Sequence, residues 1–195
     1  LYRRKREYDT AVQYAQRALA LREESGDLLR VARSFTNLGL LYNALGEYEE
    51  AIQVYEEALG ISTRFGHQQF VAKIQLNIGM AYHLDGKLAE AVEAYLQSLK
   101  LGQTLEMPYL AAKGYSNLAE VYGELGHYEV GRQYWEEGYA LSQRAGFADQ
   151  VGYFEALRER MPGLVGGGEW VVDSGRPVVG GEEPTPVSVV APLPD

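Results

Sequence analysis

One segment of the chain occurs three times at an unvarying interval. "NLGLLYNALGEYEEAIQVYEEAL" begins at Asn37, "NIGMAYHLDGKLAEAVEAYLQSL" at Asn77 and "NLAEVYGELGHYEVGRQYWEEGY" at Asn117, so the step is 40 both times (77 − 37 and 117 − 77). Leu38, Ile78 and Leu118 then coincide, as do Tyr42, Tyr82 and Tyr122, Gly46, Gly86 and Gly126, and the aromatics Tyr55, Tyr95 and Trp135. A fixed period of this length without insertion restricts the chain to stacked copies of one supersecondary unit.

Each unit reads as a helical hairpin. Phe35, Leu38, Gly39, Tyr42 and Leu45 recur at three and four residues, one face of a helix A, and Gly46 breaks it. Helix B resumes with its own stripe, Tyr48, Ala51, Ile52, Tyr55, Ala58 and Leu59. Small residues at Gly39 and Ala51 allow the two helices a close approach, and Gly66 with His67 marks the next turn. Pro108 suits the first turn of the third helix A, where its missing amide costs nothing. No hairpin buries its stripe alone, so the fold class is all-α, a solenoid of stacked antiparallel helix pairs.

These residues resemble the tetratricopeptide repeat family, whose pattern runs Trp-x₂-Leu-Gly-x₂-Tyr, then Ala-x₃-Phe, then Pro. Leu38, Gly39, Tyr42, Ala51 and Tyr55 fit it, and Leu118, Tyr122 and Trp135 repeat much of it. Phe35, Gln75 and Tyr115 stand in place of the Trp, and a longer helix B replaces the closing Pro. The chain is in this respect similar to the long variety found in kinesin light chain, Pins-type and bacterial Rap-type proteins. The resemblance implies a right-handed superhelix over about residues 1 to 160.

The register also organises the ends. "LYRRKREYDTA" lies on "LYNALGEYEEA", placing Leu1 on Leu41, Tyr2 on Tyr42, Tyr8 on Tyr48 and Ala11 on Ala51. The expected division is a truncated repeat over 1–26, mostly helix B, full repeats over 27–66, 67–106 and 107–146, and a capping helix over 147–162. On that register Arg3, Arg4, Lys5 and Arg6 fall in the inter-helix turn and its approach, as a solvated charge run. The chain lacks an initial Met and reads as a fragment or processed product, whose N-terminal edge is expected to fray or self-associate. Phe147, Val151, Phe154, Leu157 and Met161 give the capping helix its apolar face, and Pro162 with Gly163 stops it. Residues 163–195 hold 7 of the 22 Gly and 5 of the 7 Pro and read as a disordered tail or linker. Within that tail, Glu169, Trp170 and Asp173 loosely resemble the acid-flanked Trp that kinesin light chain grooves accept. The seven steps from Gly163 to Trp170 span at most about 25 Å, enough to reach only the end of the array.

Function is expected on the unpacked face of helix A. With Ala32 at zero and about 100° per residue, Phe35, Leu38, Gly39 and Tyr42 cluster near about 290°, while Arg33, Asn37, Leu40 and Ala44 fall between about 80° and 140°. The later copies place Lys73, Asn77, Met80 and Leu84, then Lys113, Asn117, Glu120 and Glu124, at these positions. The resemblance implies that the A helices line a concave groove, so this stripe would face a ligand. It forms a cation ladder, Arg33, Lys73 and Lys113, beside an amide ladder, Asn37, Asn77 and Asn117. Mid-helix Asn is unfavourable by up to about 0.7 kcal/mol against Ala, so three copies call for a reason. One is that each amide offers the donor and acceptor an extended peptide backbone needs, with the cations selecting acidic side chains or a terminal carboxylate. Leu40 and Met80 would add apolar contact, and Glu120 and Glu124 would disfavour acid at the third-repeat end. The other reason is structural: duplication, or an inter-repeat hydrogen bond.

Composition narrows the remaining classes. Lys and Arg total 18 against 27 Asp and Glu, a net charge of −9 that repels nucleic acid and anionic membranes over most of the surface. With no Cys there is no thiol nucleophile, disulfide or Cys-ligated zinc, and His67, His83 and His127 show no metal-ligand spacing. The expectation is a cytoplasmic, non-enzymatic scaffold without cofactor that binds an acidic or amphipathic peptide or protein segment. The rival is a sensor or autoregulatory module of a bacterial signalling ATPase or transcription regulator.

Overall fold

A computed structural model describes residues 2–164; the tail reading of 165–195, with its Trp170 motif, lies outside the described residues. These form α1 (Tyr2–Ser25), α2 (Leu28–Leu45), α3 (Tyr48–Arg64), α4 (Gln68–Leu84), α5 (Leu88–Thr104), α6 (Pro108–Glu124), α7 (Tyr128–Ala145) and α8 (Ala148–Arg160), followed by a 3₁₀ turn, Pro162–Leu164. Consecutive helices pack as antiparallel neighbours. In addition α2 touches α4, α4 touches α6 and α6 touches α8, whereas among the described residues no such contact joins α1, α3, α5 and α7 to one another. The even-numbered helices are therefore the inner layer of a curved solenoid.

Turns follow a half-repeat period. A residue with left-handed φ recurs every twenty positions from Gly26 to Gly146, and Glu106, φ 51, is the single non-glycine among them. Glu106→Gly is expected to stabilise the chain by roughly 0.5–1 kcal/mol, the left-handed strain of a side chain less the extra chain entropy of glycine. A urea midpoint that rises at unchanged slope would show it, and a lowered midpoint would contradict it. The same rule corrects the expected turn at Arg3–Arg6. Arg6 stands where the full repeats carry Gly46, Gly86 and Gly126, and α1 runs unbroken from Tyr2 to Ser25. Without a glycine to reverse direction, good helix formers carry the helix through.

The α2–α3 and α4–α5 hairpins are each closed by an aromatic ring laid on a glycine. A methyl at Gly39 would lie 2.5 Å from Tyr55 Cε1, and one at Gly79 would lie 2.5 Å from Tyr95 Cδ1. Tyr55 and Tyr95 are 0% and 1% exposed; Ala51, expected with Gly39 at the close approach, is 0% exposed, and the Tyr55 ring fills the space beside Gly39. Ile52, Ala58, Ile74 and Ile78 complete the core of the first two repeats, and Leu99, Tyr115, Leu118 and Trp135 that of the next.

The C-terminal end is closed from within. Phe154, Leu157 and Leu164 are 0% exposed, and Trp135 Nε1 donates 2.8 Å to the Phe154 carbonyl. Gly163 and Leu164 thus belong to the core, which corrects their assignment to the tail. Gly123 and Gly131 stand where earlier copies have Asn43 and His83, and Ala51 and Ala91. Methyls there would meet Met161 Sδ at 2.7 Å and Leu164 Cδ2 at 2.6 Å, so the third repeat is cut back to receive its closing segment.

Candidate functional site

The inner faces of α2, α4 and α6 carry the stripe singled out from the sequence. Positions forty apart meet across neighbouring inner helices: Tyr109 OH donates to Asp149 Oδ2 at 2.5 Å, and Arg160 Nη2 lies 3.0 Å from Glu120 Oε1. His83 Nε2 lies 3.0 Å from Glu124 Oε2, one position off this register. Side chains one forty-residue step apart thus reach each other between α6 and α8.

Along the amide row Asn37 is exposed and Asn77 and Asn117 are half-buried. None of the three side chains forms a hydrogen bond within the described residues. Their donors and acceptors are unused by the fold among the described residues. Leu40 is 44% exposed and Met80 half-buried beside them, with Leu84 52% exposed further along, which gives the row an apolar border.

The cation row is uneven. Arg33 and Lys73 are exposed, have no ion pair among the described residues, and share one cavity of about 490 Å³ between the first turns of α2 and α4. Lys113 differs: its Nζ stands 5.3 Å from the Tyr109 ring centroid, a cation–π contact that holds it half-buried.

At the far end Glu120 is not an open groove residue. It is 9% exposed, is paired with Arg160, and accepts a hydrogen bond from Tyr153 OH. Partial burial and then the Glu120 carboxylate push the Tyr153 phenol up to about 12, so it remains a donor at neutral pH. Glu120 was expected to repel acidic ligands; its charge is instead balanced by α8, and that of Glu124 is met by His83 whenever the imidazole is protonated. Sequence reasoning missed Tyr153 and Arg160. They are the next members of the 33/73/113 and 40/80/120 rows, and one more forty-residue step would have reached them.

Among the described residues no group of three His, Asp or Glu side chains is placed to hold a metal ion, and no helix is long and apolar enough to cross a membrane.

Helical hairpins stacked at a fixed register, with an inner face of unused polar groups, define a repeat protein of the interaction-scaffold class. The tetratricopeptide repeat profile matches residues 1–64, 30–104 and 70–144, and the chain belongs to the tetratricopeptide repeat family. Among curated proteins the comparison finds no match. Solved structures agree on the fold. The aspartyl phosphate phosphatase F of Bacillus subtilis is 19% identical with a TM-score of 0.74 over 79% of this chain, and apo RapI is 20% identical with a TM-score of 0.74 over 82%. A putative kinesin light chain of nearly identical TPR-like repeats from Podosopora anserina is 17% identical, with a TM-score of 0.61 over 82% of this chain and 90% of its own. The chain spans only 40% and 58% of the first two structures.

Proposed function

We propose that the chain is a peptide-binding scaffold without catalytic activity, and that an extended acidic or amphipathic segment of a partner lies along α2, α4 and α6. The observation that carries this is the row of Asn37, Asn77 and Asn117, whose amides the fold leaves unbonded although mid-helix Asn is disfavoured. An extended peptide presents an alternating N–H and C=O edge, and an Asn amide can meet both. Arg33 and Lys73 bias the choice toward acid, and Leu40 with Met80 receives apolar side chains. The array supplies binding, with the cytoplasm as its place of work.

Asn77→Ala and Lys73→Ala are each expected to weaken a peptide selected from an acidic library by roughly 1–3 kcal/mol while leaving helical circular dichroism unchanged. Calorimetric titration checks this, and undiminished affinity in both variants sinks the groove reading.

A second reading draws on the two larger neighbours, of which this fold is only a part. In it the array is a sensor module whose ligand occupancy acts on a fused signalling ATPase or regulator. A neighbouring nucleotide- or DNA-binding domain whose activity changes with peptide occupancy would select this version; activity indifferent to peptide would eliminate it.

A further inference from the structure

We infer that the free face of α1 pairs with α1 of a second copy of this chain, antiparallel, to make a symmetric dimer. Among the described residues α3, α5 and α7 are each packed between two inner helices, whereas α1 packs on α2 alone. Gln16 and Arg22 turn toward α2, donating to Tyr42 and Ser34, and Val12 is buried on the same side. Further round the helix runs a second stripe, Ala11, Tyr14, Ala18 and Leu21, spaced three, four and three as in a helix-pairing seam. Tyr14 and Leu21 on it are 66% and 67% exposed.

The later copies show that these are contact positions. Tyr14 becomes Val54, Ala94 and Tyr134 at successive steps of forty, and Leu21 becomes Ile61, Leu101 and Leu141; all six are buried or half-buried, and Ile61, Tyr134 and Leu141 pack on the core. α3, α5 and α7 receive their second neighbour from the inner helix of their own hairpin. α1 instead runs straight through the turn position at Arg6, so no described residue folds back over its stripe.

A second copy supplies the cover because the stripe is complementary to itself. Laid antiparallel, Tyr14 falls opposite Ala18 of the second copy and Leu21 opposite its Ala11, so each large side chain meets a small one and every contact is made twice. Ala15 stands where the later copies carry the rings of Tyr55, Tyr95 and Trp135, which leaves room for the second helix. The charges select the same direction. Arg3, Arg4, Lys5 and Arg6 open α1 while Glu23 and Glu24 close it; antiparallel copies set the basic end beside the acidic end, and parallel copies would set like beside like. The pairing lies at one end of the array and leaves the inner faces of α4 and α6 open. Each dimer would therefore hold two segments of a partner with the avidity of linked sites.

Equilibrium sedimentation of the full chain tests this. A monomer–dimer equilibrium with a Kd of roughly 1–100 μM is expected, as suits a small interface. Tyr14→Glu and Leu21→Glu should each weaken it at least about tenfold with helical circular dichroism unchanged, whereas Phe65→Glu, at a 49% exposed ring on another turn, should leave it intact. A chain still monomeric at about 1 mM, dimers that survive both α1 variants, or an equal loss with Phe65→Glu overturns the pairing. Direction is read by cross-linking, since the chain has no Cys of its own. When Ala11→Cys and Leu21→Cys chains are mixed and oxidised, the disulfide between unlike copies should predominate; predominance of like pairs rejects the antiparallel dimer.

Discussion

Tyr95→Ala is expected to remove about 3–5 kcal/mol of folding stability and Gly79→Ala about 1–3 kcal/mol, yet the double variant should be less damaged than the sum of the two. Tyr95 is 1% exposed, and its ring lies where the Gly79 side chain would be: a methyl carbon there would stand 2.5 Å from Cδ1 and 2.6 Å from Cε1. Adding the methyl alone forces a buried ring out of its seat. Removing the ring alone leaves a cavity between α4 and α5. Once the ring is gone the methyl no longer collides and refills part of the void, and the helix gains roughly 0.8–1 kcal/mol from replacing an interior glycine. In the Tyr95→Ala background Gly79→Ala should therefore change sign and stabilise. Urea unfolding of the four proteins measures the coupling, and strictly additive losses would mean that ring and glycine do not share this space. With native domains stable by about 5–15 kcal/mol, the single Tyr95 change reaches a large part of the total.

The parts of this fold that repeat were legible in the sequence because repetition multiplies a weak signal. Leu38, Ile78 and Leu118 mark the same core position, and their helices form as the period requires. The inner stripe was legible for the same reason, since Arg33, Asn37 and Leu40 oppose the core face by angle alone. What was not legible lies where copies differ. Arg6 in place of a turn glycine changes a hairpin into one long helix, a difference of backbone preference that alignment by Leu1, Tyr2 and Tyr8 conceals. Glu120 looked like an open acid because its partners, Arg160 and Tyr153, lie in a helix defined at the sequence level only by its apolar face. The signs of closure were present as glycines at 123 and 131, where earlier copies carry side chains; their meaning depends on which atoms of Met161 and Leu164 fill the space. Lys113 likewise differs from Arg33 and Lys73 through the neighbouring Tyr109.

The unusual number of tyrosines, 15 in the chain, predicts a steep loss of stability in alkali. Tyr55, Tyr95, Tyr115 and Tyr122 are at most 8% exposed, and burial raises the pKa of each phenol above its ordinary value near 10. Burial and then the Tyr122 phenol push Tyr134 up to about 12. The sign follows from proton counting. Above about pH 10 the unfolded chain gives up its phenolic protons while the folded chain keeps them, so rising pH favours unfolding. Below that range both states are protonated and the tyrosines leave stability independent of pH. Inside it each fully buried phenol costs up to about 1.4 kcal/mol per pH unit, and four acting together exhaust an ordinary folding free energy within one to three units. The chain is expected to unfold cooperatively between about pH 11 and 13, with loss of helical circular dichroism and tyrosinate absorbance appearing together. Tyr95→Phe keeps the ring on Gly79 but removes one ionisation, and should move the transition upward; the same change at Tyr14, 66% exposed, is the control. Tyrosinate absorbance that develops fully while the helices remain intact would show that these phenols ionise in the folded solenoid, and would break the link between their burial and its stability.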